Sequence, residues 1–192
     1  YFTKNPKIVP IIIGTGNTNT IRLIADALKP WFTPDNLFLI SSDFSHYPSY
    51  KDASAVDDLT ARGIISGNPQ TFLAALRNNS TKNIPGLATS MCGWASGLAL
   101  IYLAEGDNSL EFRHIDYCNS GDSPFGGKDE VVGYHAIALV EKSITAKNEG
   151  YQSDKIQFTE KEKEKLISIA RENIRSLLYE KKMLQPVKET LP

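Results

Sequence analysis

A chain of 192 residues has room for one ordinary domain with a sizeable core, or for one domain and part of another. Its 21 basic and 22 acidic residues leave a formal charge of −1 and a pI near 6.4, so it has no field with which to draw in nucleic acid or anionic lipid. No apolar run approaches the roughly 20 residues that span a bilayer, the first residues lack the order of a signal peptide, and Cys92 and Cys118 sit in unrelated contexts that make no disulfide framework; the reading is a cytosolic protein with reduced thiols.

The first element in chain order is Lys7 to Gly14, KIVPIIIG, a buried-strand pattern. It follows Tyr1, with no initial methionine, within a few positions, and reads as the product of a cut through a longer protein. Gly14 to Asn19 is a polar connection. Its GTGN lacks the later glycine and the Lys-Ser/Thr ending of a phosphate loop, so it reads as a strand-to-helix turn. Ile21, Ile24, Ala25 and Leu28 then mark an amphipathic helix that ends at Pro30 and the Pro34-Asp35-Asn36 turn. The apolar run Leu37 to Ile40 predicts a second strand, completing a right-handed β-α-β unit with two parallel neighbours.

Pro48 to Ser54 reads as a loop. Val56 to Ser66 predicts a helix with Leu59, Ile64 and Ile65 as its apolar positions, closed by Gly67-Asn68-Pro69, and Pro69 to Leu76 predicts another with Phe72, Leu73 and Leu76 on one face. A polar linker, Arg77 to Lys82, follows. Trp94 to Ala104 is small or apolar almost all round, the mark of a buried helix. Leu110 to Tyr117 and Val131 to Val140 predict two strands, and the helix-free Gly- and Asp-rich connection between them favours antiparallel pairing. The expected architecture is a three-layer α/β domain, a mixed sheet flanked by helices, over residues 1–142. A polar linker (143–153) leads to a charged C-terminal segment (154–192) whose amphipathic helix runs from Glu160 to about Met183, with Thr159 and Glu162 as its capping box.

The chemistry-bearing residues gather around LFLISSDFSHY. A strand buried on both faces delivers Asp43 and His46 at its carboxyl end, where open α/β sheets place their sites, and a carboxylate and an imidazole three residues apart can aim at one cleft. The competing reading is a turn capped by Asp43 with His46 as a satisfied surface group. Cys92 opens the buried helix, where unpaired N–H groups and the helix dipole stabilise a thiolate that could bind a soft metal or act as a nucleophile. Without other information a lone cysteine there is more often a small buried hydrophobe. His114 reads as solvent-facing or structural and His135 as a packed core group, with no paired spacing to make either a ligand. Tyr47 and Trp94 are candidate pocket walls, and Cys118 reads as inert.

SSDFSHY resembles the signature of the Memo family, the B component of the three-part AmmeMemoRadiSam set, which is similar to LigB-type extradiol dioxygenases. Thr89, Ser90, Met91, Cys92 and Gly93 occupy the place of the family's Thr-x-Cys-Gly segment. The resemblance runs from about Lys7 to Lys142 and covers the second half of a Memo domain. It implies a LigB/Memo-like fold and a metal held by two histidines from the first half of the domain together with Cys92, with iron(II) the usual proposal and copper the other. It further implies that Asp43 and His46 stand beside the metal, His46 as general acid/base and Asp43 as the group that fixes it. The ligating histidines fall outside this chain, which leaves the site incomplete. FTEKEKEKLISIARENIRSLL resembles the opening helix of the AMMECR domain, the A component of the same set. The implied partners are the upstream half of the Memo domain, the rest of the AMMECR domain and the radical-SAM component.

Three functions compete at this point. One is a Memo-like metal-dependent redox protein; another is a non-catalytic module that docks a peptide or partner in the same cleft. The third is a metal-free hydrolase with Cys92 as nucleophile and His46 as base.

Overall fold

The computed structural model describes residues 7–142, together with Lys161 and Ser168. The described body belongs to the first of two units, Tyr1–Ile144 and Thr145–Pro192. Of the helix expected over Glu160 to Met183, Lys161 and Ser168 are described, both as helix; the rest lies outside the described residues.

The first three helices each begin where a polar side chain satisfies free N–H groups. Asn17 Oδ1 accepts from the N–H of Asn19 and Thr20 at 3.0 and 3.1 Å and starts α1, Thr18–Leu28, which a 3-10 turn at Lys29–Trp31 closes. Ser49 caps α2, Tyr50–Ile65, so this helix starts inside the stretch expected to be loop. Asn68 caps α3, Pro69–Thr81, with Pro69 in the first turn, where its missing N–H costs nothing. This helix also consumes most of the expected linker from Arg77. The last, α4, spans Trp94–Ala104 as the sequence predicts.

The core joins Ile21 and Ala25 of α1, Ala61 and Ile64 of α2, and Phe72 of α3 to Leu98, Ile101 and Leu103 of α4. The α2–α3 seam is close. A Cβ on Gly63 would stand 3.0 Å from Phe72 Cα, so glycine at this position sets the approach of the two helices. Fully buried Asn79 donates to the Val56 carbonyl at 3.1 Å and to Thr60 Oγ1 at 3.0 Å, giving that apolar seam one polar registration point.

Strands β1, Leu110–Asn119, and β2, Gly133–Glu141, pair antiparallel, as expected, from Leu110 opposite Glu141 to Asn119 opposite Gly133. Phe112, Ile137 and Leu139 face the helical core. The α/β mixture is therefore present, but the mixed sheet is not: among the described residues the sheet has these two strands and no parallel pair. Lys7 to Gly14 and Leu37 to Ile40, the expected parallel strands, are not strands in this structure. Phe38 and Ile13 pack against the core, while Leu37 and Leu39 on the outward face are 79 % and 82 % exposed. A doubly apolar pattern records that both faces need cover; it does not say which segment supplies the neighbour, and no described segment does.

Among the described residues no helix is long and apolar enough to cross a membrane.

Candidate functional site

The segment from Asp43 to Pro48 is held by main-chain bonds on both sides. On one side His46 donates to the Thr89 carbonyl at 3.1 Å, Ala88 donates to the His46 carbonyl at 3.0 Å, and Cys92 donates to the Asp43 carbonyl at 3.1 Å. On the other, Phe44 donates to Gly133 at 2.9 Å, Gly133 to Ser45 at 2.9 Å, Tyr47 to Val131 at 2.7 Å and Val131 to Pro48 at 3.0 Å. A strip pinned along both edges gives its side chains fixed directions, the backbone requirement for a preorganised site.

The pinning brings Asp43, His46 and Cys92 together. One ligand atom from each, a carboxylate oxygen, an imidazole nitrogen and the sulfur, lies within 4.8 Å of the other two. Cys92 is exposed, not the small buried hydrophobe of the competing reading. Its Sγ accepts the Asp43 N–H at 3.3 Å and stands 3.6 Å from Ser42 Oγ. Ser42 Oγ itself accepts the Gly93 N–H at 2.8 Å and donates to the Asp43 carbonyl at 2.8 Å, tying the start of α4 to the strip. The Asp43 N–H thus orients the sulfur, the atom that would bind a metal or attack an electrophile. His46 Nε2 is 3.5 Å from Asp43 Oδ2, close enough for attraction, yet it is enclosed and meets no hydrogen-bond partner among the described residues. The imidazole is thus buried at its working nitrogen, while the Asp43 side chain beside it is 47 % exposed.

Tyr47 adopts φ 71°, the left-handed region that a bulky residue rarely occupies. The turn is fixed from outside: any Cβ at position 86 would collide with the Tyr47 carbonyl, so Gly86 alone allows the approach. The Tyr47 and His46 rings meet edge to face at 5.5 Å between centroids.

Three features escape sequence reasoning. Ser42 was not singled out, since a serine ahead of Asp43 carries no pattern of its own. Asp57 on α2 is fully buried beneath the strip, accepting the Ser45 N–H at 2.8 Å and the Tyr117 hydroxyl at 3.0 Å. Burial pushes the Asp57 carboxyl up, and the Ser45 and Tyr117 bonds oppose the rise. Tyr117 is pushed up to about 12, chiefly by burial. A signal for Asp57 existed, because it falls with Ala53, Val56, Thr60 and Ala61 on the stripe that α2 buries. The third feature is that His114 and His135, expected to be unrelated, stand with Nε2 and Nδ1 3.1 Å apart. Cys118 is exposed beside a shallow cavity of about 600 Å³, and Trp94 is half-buried over Gly16.

The family model described as Memo-like protein matches residues 1–138. No curated protein matches the chain.

Proposed function

We propose, for a chain that belongs to the Memo-like protein family, that Asp43, His46 and Cys92 form this chain's share of a metal-dependent redox centre similar to those of extradiol dioxygenases. The observation that carries the reading is the meeting of an exposed sulfur, fed by a main-chain N–H, with an enclosed imidazole nitrogen that has no partner.

The donor set fits such a group. A thiolate with an imidazole close by suits iron, copper(I) or zinc better than a hard ion such as magnesium, and a buried nitrogen without a partner is an acceptor awaiting one. Cys92 would hold the metal, with two histidines from the preceding half of the family's domain completing the set. Iron(II) is the metal we favour and copper the second; when bound it supplies electron transfer that no side chain here can supply. Within the chain, the Asp43 N–H holds the Cys92 sulfur in place. His46 moves a proton between a bound group and solvent, and the half-exposed Asp43 carboxylate stabilises its imidazolium at 3.5 Å.

We further propose, on the resemblance of SSDFSHY and of FTEKEKEKLISIARENIRSLL, that the protein works in the AmmeMemoRadiSam set, with the radical-SAM component as a partner and an AMMECR-like segment after residue 153. A second reading, a docking module for a peptide or partner protein, draws on the exposed aliphatic residues Ile8, Val9, Ile12, Leu37 and Leu39, apolar surface that a polypeptide could cover.

Metal analysis of the protein with its complete Memo domain, as wild type and as Cys92→Ser, tests the first reading. Iron or copper near one equivalent in the wild type and a loss of at least tenfold in the variant are expected; equal stoichiometry in both would exclude Cys92 as a ligand.

A further inference from the structure

The pairing register of β1 and β2 slips at one place. Asp116 is opposite Ala136 and His114 is opposite Ile137, so Ile115 is an extra residue, a β-bulge. In unbroken alternation Tyr117 and Ile115 would share one face and His114 the other. The extra residue reverses the alternation beyond it: Ile115 is exposed, and His114 turns to the side of Tyr117 and His135. A bulge that re-aims one side chain onto a second of the same kind brings two ligand-type groups together across the strands.

The geometry around His135 fixes which nitrogen faces His114. Its ring lies between Phe44 and Tyr117, each with its centroid 4.5 Å away. Nε2 is enclosed without a hydrogen-bond partner among the described residues, and Nδ1 is the nitrogen that meets His114 Nε2 at 3.1 Å. With the proton at Nε2, the tautomer that a ligand at Nδ1 requires, the Nδ1 lone pair lies on the side of His114. His135 is also neutral at ordinary pH, its pKa pulled down to about 4, first by burial and then by His114.

We propose that His114 and His135 form a second metal site, a two-imidazole chelate for a borderline divalent cation of the copper(II), nickel(II) or zinc(II) class. Two nitrogens each about 2.0–2.1 Å from one such ion lie roughly 2.9–3.4 Å apart at square or tetrahedral angles, and the observed 3.1 Å falls in that interval. The ion displaces the proton that the two rings otherwise share and stands to one side of the line between the two nitrogens. Imidazole is the ligand these ions favour, and exposed His114 leaves water free to fill the remaining positions. The site is separate from the Asp43, His46 and Cys92 cluster, to which neither histidine belongs.

The chain holds three histidines, so in His46→Gln/Cys92→Ser the pair is all that remains. One equivalent of copper(II) added to that variant of the 192-residue chain should give pulsed-EPR echo modulation from two imidazoles. Adding His114→Ala should leave at most one and weaken binding at least tenfold by equilibrium dialysis. One imidazole or none before that change, or an affinity that it leaves alone, overturns the proposal. If the double variant does not fold by circular dichroism, zinc uptake by the otherwise native chain is compared with that of His114→Ala, whose changed residue is exposed. One equivalent fewer is expected, and equal uptake overturns the site without touching the role of Cys92.

Discussion

Asp43 and Cys92 are bonded reciprocally: the Cys92 N–H donates to the Asp43 carbonyl at 3.1 Å, and the Asp43 N–H donates to Cys92 Sγ at 3.3 Å. The first bond survives any side chain at position 92, so the sulfur can be removed without unpinning the strip. Cys92→Ala should therefore shift stability by less than about 1 kcal/mol, as surface substitutions do. Urea denaturation of the metal-free protein measures this; a loss of several kcal/mol would give the thiol a structural role instead.

Gly93 is the neighbour that cannot change. A Cβ at this position would stand 2.7 Å from Ser42 Cβ and 2.8 Å from its Oγ, the atom that accepts the Gly93 N–H. Gly93→Ala should cost about 1–3 kcal/mol through overpacking. It should also change the rate at which Cys92 reacts with a thiol reagent, and an unaltered rate and urea midpoint would count against the Ser42 bridge.

Asp57 supports the strip from below. Asp57→Ala leaves the Ser45 N–H and the Tyr117 hydroxyl without their acceptor, at roughly 1–3 kcal/mol for a buried group so orphaned. Asp57→Asn keeps one acceptor and should cost less. Gly133→Ala drives a Cβ into the Asp57 carboxylate and should cost at least about 3 kcal/mol. The expected order by chemical denaturation is Gly133→Ala, then Asp57→Ala, then Asp57→Asn as the mildest.

The folded protein keeps His135 neutral down to about pH 4, whereas the unfolded chain protonates it near 6.5. Between those values the unfolded state binds more protons, so stability rises with pH. The contribution is complete above about pH 6.5 and lost by about pH 4. The full shift corresponds to roughly 3 kcal/mol, which solvent around the partly exposed ring reduces to about 1–2 kcal/mol. Asp57 works in the opposite sense: its raised folded pKa contributes stability at low pH that disappears as pH climbs through it. Urea midpoints at pH 7 and pH 5 for wild type and His135→Phe should show a steeper fall for the wild type, and parallel falls would remove His135 from the account.

Leu37 and Leu39 place two large aliphatic side chains in water on neighbouring outward positions. Leu37→Lys/Leu39→Lys should leave the helical core intact, since Phe38 carries the inward contact, and should lower self-association of this chain. Sedimentation velocity reads the outcome; equal association would show that this face is not the sticky one.

The helices were legible because capping residues and apolar spacing are local: Asn17, Asn68 and the run from Trp94 say where α1, α3 and α4 lie. The start of α2 was missed because Ser49 is followed by polar residues that resemble a loop until the cap is seen. The two antiparallel strands were legible from their short, helix-free connection. The parallel strands were not formed, because pairing is a property of two segments and the sequence of one shows only its own appetite for burial. The meeting of Asp43, His46 and Cys92 was expected from motif position, but what holds it was not readable, since Ser42 and Asp57 act through bonds that reach across 51 and 12 positions. The His114–His135 contact was invisible for a geometric reason: period-two counting places the rings on opposite faces, and only the extra Ile115 reverses that.

The left-handed bend at Tyr47 makes the route of the chain, rather than any bond to the imidazole, the custodian of His46. A ring nitrogen tethered to nothing is free to accept whatever arrives, provided the peptide beneath it cannot drift. Here a tyrosine held in an uncomfortable posture, wedged against Gly86, supplies that steadiness and leaves the nitrogen uncommitted.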